Sequence, residues 1–175
     1  YAGFIFNRSN YKPVRMDNHS YYETIEGIVP VNSSPVADGN VIYIGGTKLV
    51  ALKTVNVGVD ADLKLWEYDA SSNVSTPLVI GNDVYVISAS GELHKVKDGA
   101  GVILPMEGPI PPLSQPSKDG DNIYFTDVSG VVWIYNVLTE TLNDLNDPVG
   151  TGEGDSSSFF RMPVVDGTKI YVAMK

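Results

Sequence analysis

The sequence predicts an all-β repeat protein built from antiparallel hairpins, and three observations carry that reading. The spacing P-x3-G-x3-Y occurs four times, at Pro35/Gly39/Tyr43, Pro77/Gly81/Tyr85, Pro116/Gly120/Tyr124 and Pro163/Gly167/Tyr171, in copies 42, 39 and 47 residues apart. Fixed offsets joined by variable spacers mean that one supersecondary unit recurs while its loops differ. The 175 residues are 43% hydrophobic and only 19% charged, where globular domains usually carry roughly 25% charged residues. Helical periodicity is scarce: the best stretch is Leu138, Leu142 and Leu145, at i, i+4 and i+7, and it is short and runs into Pro148.

The four copies align as SSPVADGNVIYIGG, STPLVIGNDVYVIS, SQPSKDGDNIYFTD and RMPVVDGTKIYVAM. Each reads as a hairpin. Proline at the start of the first strand removes an N–H where the ladder has not begun, and the glycine at the tip supplies the positive φ of a tight turn. The second strand of each copy is apolar on both faces, as in Val41–Ile42–Tyr43–Ile44 and Val84–Tyr85–Val86–Ile87. Such a strand is expected between two covering layers. The four repeat tyrosines are accordingly expected at equivalent positions in the second strand of four-stranded antiparallel units, largely buried.

A second hairpin follows the first. Gly91, Leu93 and Val96 fall six, eight and eleven residues after Tyr85, and Gly130, Val132 and Tyr135 fall at the same offsets after Tyr124. In the first copy this hairpin is shorter, with KLVALK at 48–53 as its strand and Trp66 in LKLWEYD beyond it. Together these residues resemble the repeat of the PQQ-like (quinoprotein-type) β-propeller superfamily, which runs S-P-V-V-x-D-G-x-V-Y-V-G-T-x-D-G-x-L-Y-A-L-D-x-x-T-G-x-x-x-W. The resemblance implies an all-β propeller of four-stranded antiparallel blades. It also implies a closing tryptophan in each blade, present here only as Trp66; by the family spacing Pro105 and Asp144 take its place in the next two copies, and Glu140 stands where a turn glycine belongs.

The whole chain, 1–175, reads as one propeller domain or segment. Residues 1–32 are the second half of a blade plus connector, since GFIFNRSNYK at 3–12 aligns with GVVWIYN at 130–136. Blades follow at 33–74, 75–113 and 114–160, the last with a loop, and 161–175 is the first half of another. That makes about four blade-equivalents, and propellers close with ~4–8. Either the two terminal half-blades pair to close a small four-bladed ring or the chain is a segment of a larger one, and the larger ring is the expectation, because it covers strand edges that an open array exposes. Sequences 54–64 and 147–158 read as inserted loops. The opening at Tyr1, without Met or a leader-like segment, reads as a processed chain or a fragment.

Twelve basic residues against 21 acidic ones give a net charge of −9, which argues against nucleic acid, since phosphate binding needs a concentrated basic surface. No apolar run approaches the ~18 residues of a membrane span. Zero cysteines exclude disulfides, thiolate metal sites and thiol catalysis.

Few residues invite chemistry. His19 and His94 lie in different units with no recognisable nucleophile spacing, and His94 aligns with Trp133, a packing position. Asp60–Ala–Asp62 and Asp119–Gly–Asp121 have the alternate carboxylate spacing of calcium loops, yet Asp119–Gly120 is the repeat turn and neither has the distal Glu of an EF-hand. The glycines of VGTGEGDSSS lack the Lys-Ser/Thr of a phosphate loop. Sequons occur at Asn7, Asn18, Asn32 and Asn73, relevant only to a secreted glycoprotein. The candidates for a partner-binding surface are the loop aromatics Tyr21, Tyr22, Phe159 and Phe160, with wedging between blades as the alternative.

Three functions are compatible with these features. The expectation is a non-catalytic, extracytoplasmic interaction scaffold or cell-surface module, without cofactor or metal, whose partner is a protein or the remaining blades of its own ring. The alternatives are a structural or sugar-binding domain of a surface or virion protein, and a fragment of a PQQ-dependent dehydrogenase.

Overall fold

The structure, a computed structural model, describes residues 5–6, 13–14, 33–54, 64–106, 110, 114–127, 131–145 and 162–172. Within them are sixteen strands and no helix. A two-stranded hairpin, β1 (Ile5–Phe6) and β2 (Pro13–Val14), comes first. Three four-stranded antiparallel sheets follow: β3 (Val36–Asp38), β4 (Val41–Ile44), β5 (Leu49–Lys53) and β6 (Lys64–Tyr68) in blade 1; β7 (Leu78–Ile80), β8 (Asp83–Ile87), β9 (Leu93–Lys97) and β10 (Ala100–Ile103) in blade 2; β11 (Ser117–Asp119), β12 (Asn122–Thr126), β13 (Val132–Asn136) and β14 (Thr141–Asp144) in blade 3. A last hairpin, β15 (Val164–Asp166) and β16 (Lys169–Tyr171), forms its own two-stranded sheet. The fourth copy is thus half a blade.

Register makes the repeats equivalent. The residue after each proline pairs with the repeat tyrosine: Val36 with Tyr43, Leu78 with Tyr85, Ser117 with Tyr124 and Val164 with Tyr171. Each turn glycine has positive φ, between 55° and 62°, in the first central position of a two-residue loop, as type II′ turns require. The outer hairpins differ. Blade 2 turns on Asp98 and Gly99, both at positive φ. In blade 3 Asn136 Oδ1 accepts the Leu138 and Thr139 N–H groups, and Glu140 takes the glycine's left-handed conformation at φ 53°. The Leu138/Leu142/Leu145 spacing therefore belongs to a hairpin.

Because side chains alternate across a strand, every blade has a forward face bearing the repeat tyrosine and a rear face bearing its two neighbours. The forward face of one blade packs on the rear face of the next. Tyr43, Leu49, Trp66 and Tyr68 of blade 1 meet Val84, Val86 and Val96 of blade 2. Leu78, Tyr85, Ile87 and Leu93 of blade 2 meet Ile123, Phe125 and Tyr135 of blade 3. The first strands adjoin from blade to blade, β3 against β7 and β11 against β15.

Two expectations need correction. Tyr85 and Tyr124 are buried at 3% and 7% exposure, but Tyr43 and the other residues of β4 are only half-buried and Tyr171 is 52% exposed. Tyr85 is covered by blade 3, whereas Tyr43 faces blade 2 and still stays half-buried, so the repeat position alone does not set burial. As to the closing tryptophan, ladder register sets Val102 and Asn143 level with Trp66, not Pro105 and Asp144. Both are exposed, whereas Trp66 packs 5.8 Å from Tyr43.

Candidate functional site

Chemically capable side chains converge where blades 1 and 2 meet. His94, on the rear face of β9, is 2% exposed, and its Nδ1 lies 2.9 Å from the Tyr68 hydroxyl on the forward face of β6. The rings stand edge to face at 5.7 Å. Its Nε2 has no hydrogen-bond partner, with Glu92 Oε2 at 3.8 Å. Burial pushes the His94 pKa down and the Glu92 carboxylate works against that shift. Glu92 accepts from Ser90 Oγ at 3.2 Å, Ser90 Oγ lies 2.8 Å from Ser88 Oγ, and Ser88 Oγ accepts the Glu92 N–H.

This constellation is no catalytic triad. The serine bonds the carboxylate and the histidine bonds a tyrosine, so no base faces a nucleophile. Its logic is that of the equivalent site in blade 3, where Trp133 replaces His94. There the indole donates to Asp127 Oδ2 at 2.9 Å and the Val131 N–H to Asp127 Oδ1. In both blades a side chain at the end of the second strand ties down the start of the third, and an amphipathic ring, buried at His94 and half-buried at Trp133, occupies the packing layer, as their alignment implied.

A second polar thread runs through the residues that precede the prolines. The Ser34 N–H donates to Thr76 Oγ1 and the Thr76 N–H to Gln115 Oε1, so each blade's pre-proline residue holds its predecessor's backbone. One position earlier, Ser75 and Ser114 hydroxyls accept the N–H groups of Ile87 and Thr126. Ser33, Ser75 and Ser114 recur at one offset. That recurrence is the sequence signal for the structural serines Ser75 and Ser114.

The partner-binding candidates Tyr21, Tyr22, Phe159 and Phe160 lie outside the described residues, as do His19, Asp60 and Asp62. Asp119 and Asp121 flank Gly120 in the hairpin turn, and among the described residues no three His, Asp or Glu side chains gather to hold a metal. What the described surface does offer is apolar: on the outer strand of blade 2 Val102 and Ile103 are each 58% exposed, and Leu65 on β6 is 46% exposed. No helix among the described residues is long and apolar enough to cross a membrane.

Blades of antiparallel strands stacked forward face to rear face define a β-propeller. The repeats resemble those of PQQ-like β-propellers, and solved structures agree on the propeller fold. The chain is similar to BamB from Moraxella catarrhalis, with 18% identity, a TM-score of 0.56, and coverage of 78% of this chain and 44% of that one. Two computationally designed proteins are also similar: Ika8, with 15% identity, a TM-score of 0.60 and coverage of 82% and 42%, and Ika4, with 14%, 0.59, and 85% and 94%. The chain spans less than half the length of BamB and Ika8. No protein-family model and no curated protein sequence matches it.

Proposed function

We propose that the chain is a non-catalytic propeller acting outside the cytoplasm as a protein-interaction scaffold or surface module. The observation that carries the reading is the outer strand of blade 2. In β6 the edge is charged, with Glu67 bridging Lys48 at 2.8 Å and Lys64 at 3.0 Å. In β14 it is polar, TLND. β10 is AGVI, with two large apolar side chains in solvent and no charge. Natural edge strands are guarded by charge or covered, and exposed apolar residues grouped on one edge suit a protein partner. The non-catalytic part is supported by how His94, Asp127 and Ser88 are used, each tying strands or blades together.

A photo-crosslinking residue at Val102 tests the binding half in the source cells. A discrete adduct, absent when the same residue stands at Glu67 on the charged edge, is the expected result; equal labelling at both positions overturns it. PQQ-dependent dye reduction by the purified chain would overturn the non-catalytic half.

A further inference from the structure

Val102 and Ile103 stand exposed at neighbouring positions of β10, so their side chains leave opposite faces of the sheet. Val102 pairs with Lys95, which pairs with Tyr85 on the forward face, and Ile103 pairs with His94 on the rear. A partner lying on either face would cover one of them. Only an approach along the edge covers both.

The backbone of that edge is set for such an approach. The Leu104 N–H donates to the Leu93 carbonyl at 2.8 Å, and antiparallel pairs alternate between those that exchange hydrogen bonds and those that do not. The bonded pairs are then Leu104/Leu93, Val102/Lys95 and Ala100/Lys97, which turns the N–H and C=O groups of Gly101 and Ile103 outward. Among the described residues no strand pairs with that edge. The next outward position is Pro105, which has no N–H, and the Asp98–Gly99 turn closes the other end, so the open ladder is Gly101 and Ile103 alone.

Charge points to the occupant. Lys97 is exposed on the forward face beside its cross-strand partner Ala100 and has no ion-pair partner among the described residues. Ala100 is small and strands lie about 4.8 Å apart, so the Lys97 ammonium reaches over it to a carboxylate on a strand added outside β10. We propose that β10 is a strand-addition site for an extended segment of a partner protein, antiparallel like every pair in the sheet, with apolar side chains opposite Ile103 and Val102 and an acidic one opposite Ala100. A second copy paired through both Gly101 and Ile103 would set Leu104 opposite Ala100 and leave Lys97 unmatched, so the occupant is a different chain. This rests on the reading of β10 as the partner-binding edge and adds what is bound there and how.

The probe is a fluorescein-labelled peptide, Thr-Val-Val-Thr-Glu-Thr, whose second, third and fifth residues fall opposite Ile103, Val102 and Ala100. Fluorescence anisotropy with the purified chain should show saturable binding. N-methylation of the second or fourth residue, whose amides face β10, should abolish it, and N-methylation of the third should not. In the complex, amide exchange should slow at Gly101 and Ile103 and stay as it was at Val102, which is already bonded within the sheet. Lys97→Glu should weaken binding several-fold, and a peptide with Lys in place of Glu should restore it. An unbound peptide, equal binding by all three N-methylated forms, or a chain that dimerises through β10 and is returned to monomer by Val102→Asp each overturns the proposal. Where the Val102 crosslink forms in cells and the peptide does not bind, strand addition falls and the scaffold reading stands.

Discussion

The seam between blades 2 and 3 and the seam between blades 1 and 2 occupy the same place in the repeat and are filled differently. The first is an apolar cluster whose largest fully buried members are Tyr135 and Phe125. In the second, Trp66 and Tyr68 reach across to the next blade's outer hairpin, with Trp66 against Gly99 and Tyr68 tight against Gly101, and His94 replaces the tryptophan of blade 3. A Cβ on Gly101 would collide with the Tyr68 ring. One repeat geometry can therefore be closed by bulk on the inner strands or by aromatic overlap on the outer ones. Only the second route brings a histidine into the seam.

The largest effect should come from the apolar seam. Phe125→Ala should destabilise by about 3–5 kcal/mol, the usual loss for a buried aromatic, read from urea unfolding. Tyr171→Ala, at the equivalent of buried Tyr85, should cost under about 1 kcal/mol for a half-exposed ring. Similar losses at both positions would refute the claim that burial follows the adjoining blade.

Overlap at the other seam is tested by Gly101→Ala, expected to cost about 1–3 kcal/mol through overpacking. In a Tyr68→Ala background the same substitution should cost far less, since the obstructing ring is gone. Additive effects would show that Tyr68 does not set the glycine requirement.

The seams should also part company with pH. Burial holds the His94 pKa below 6.5, so its neutral form favours folding above that value and the contribution is lost as pH falls below it. His94→Gln should flatten the decline of Tm between pH 7.5 and 5.5. Tyr135, in the apolar seam, is raised by burial from 10 to about 12. Its contribution is complete below pH 10 and disappears as pH rises toward 12, so Tyr135→Phe should blunt alkaline unfolding and leave the acid limb alone.

The smallest effect is a gain. Glu140→Gly should stabilise by about 1 kcal/mol, because an L side chain in the left-handed region costs about 1–2 kcal/mol and glycine does not. An unchanged urea midpoint would mean that the Glu140 side chain offsets the strain.

The turns were legible because backbone conformation is a local constraint. Gly39, Gly81, Gly120 and Gly167 have no crowding neighbour, so only positive φ explains them, and that requirement repeats in the sequence. Gly45 and Gly101 were opaque, since what excludes a side chain there is the Ser75 carbonyl and the Tyr68 ring of another repeat. The His94–Tyr68 contact spans 26 residues and two blades, and nothing at either position marks the other. The structural serines stood in plain repeat, and only their bonds showed their role.

By itself the sequence determined the unit: hairpins punctuated by Pro and Gly, registered so that each repeat tyrosine faces forward, because alternation and turn geometry act within a few residues. Only the tertiary structure decided which copies of that unit are covered. Tyr85 and Tyr171 hold the same position in the same hairpin, and one is buried while the other stands half in solvent, because burial belongs to the neighbouring blade and the hydrophobic effect counts area removed from water, wherever the covering atoms come from.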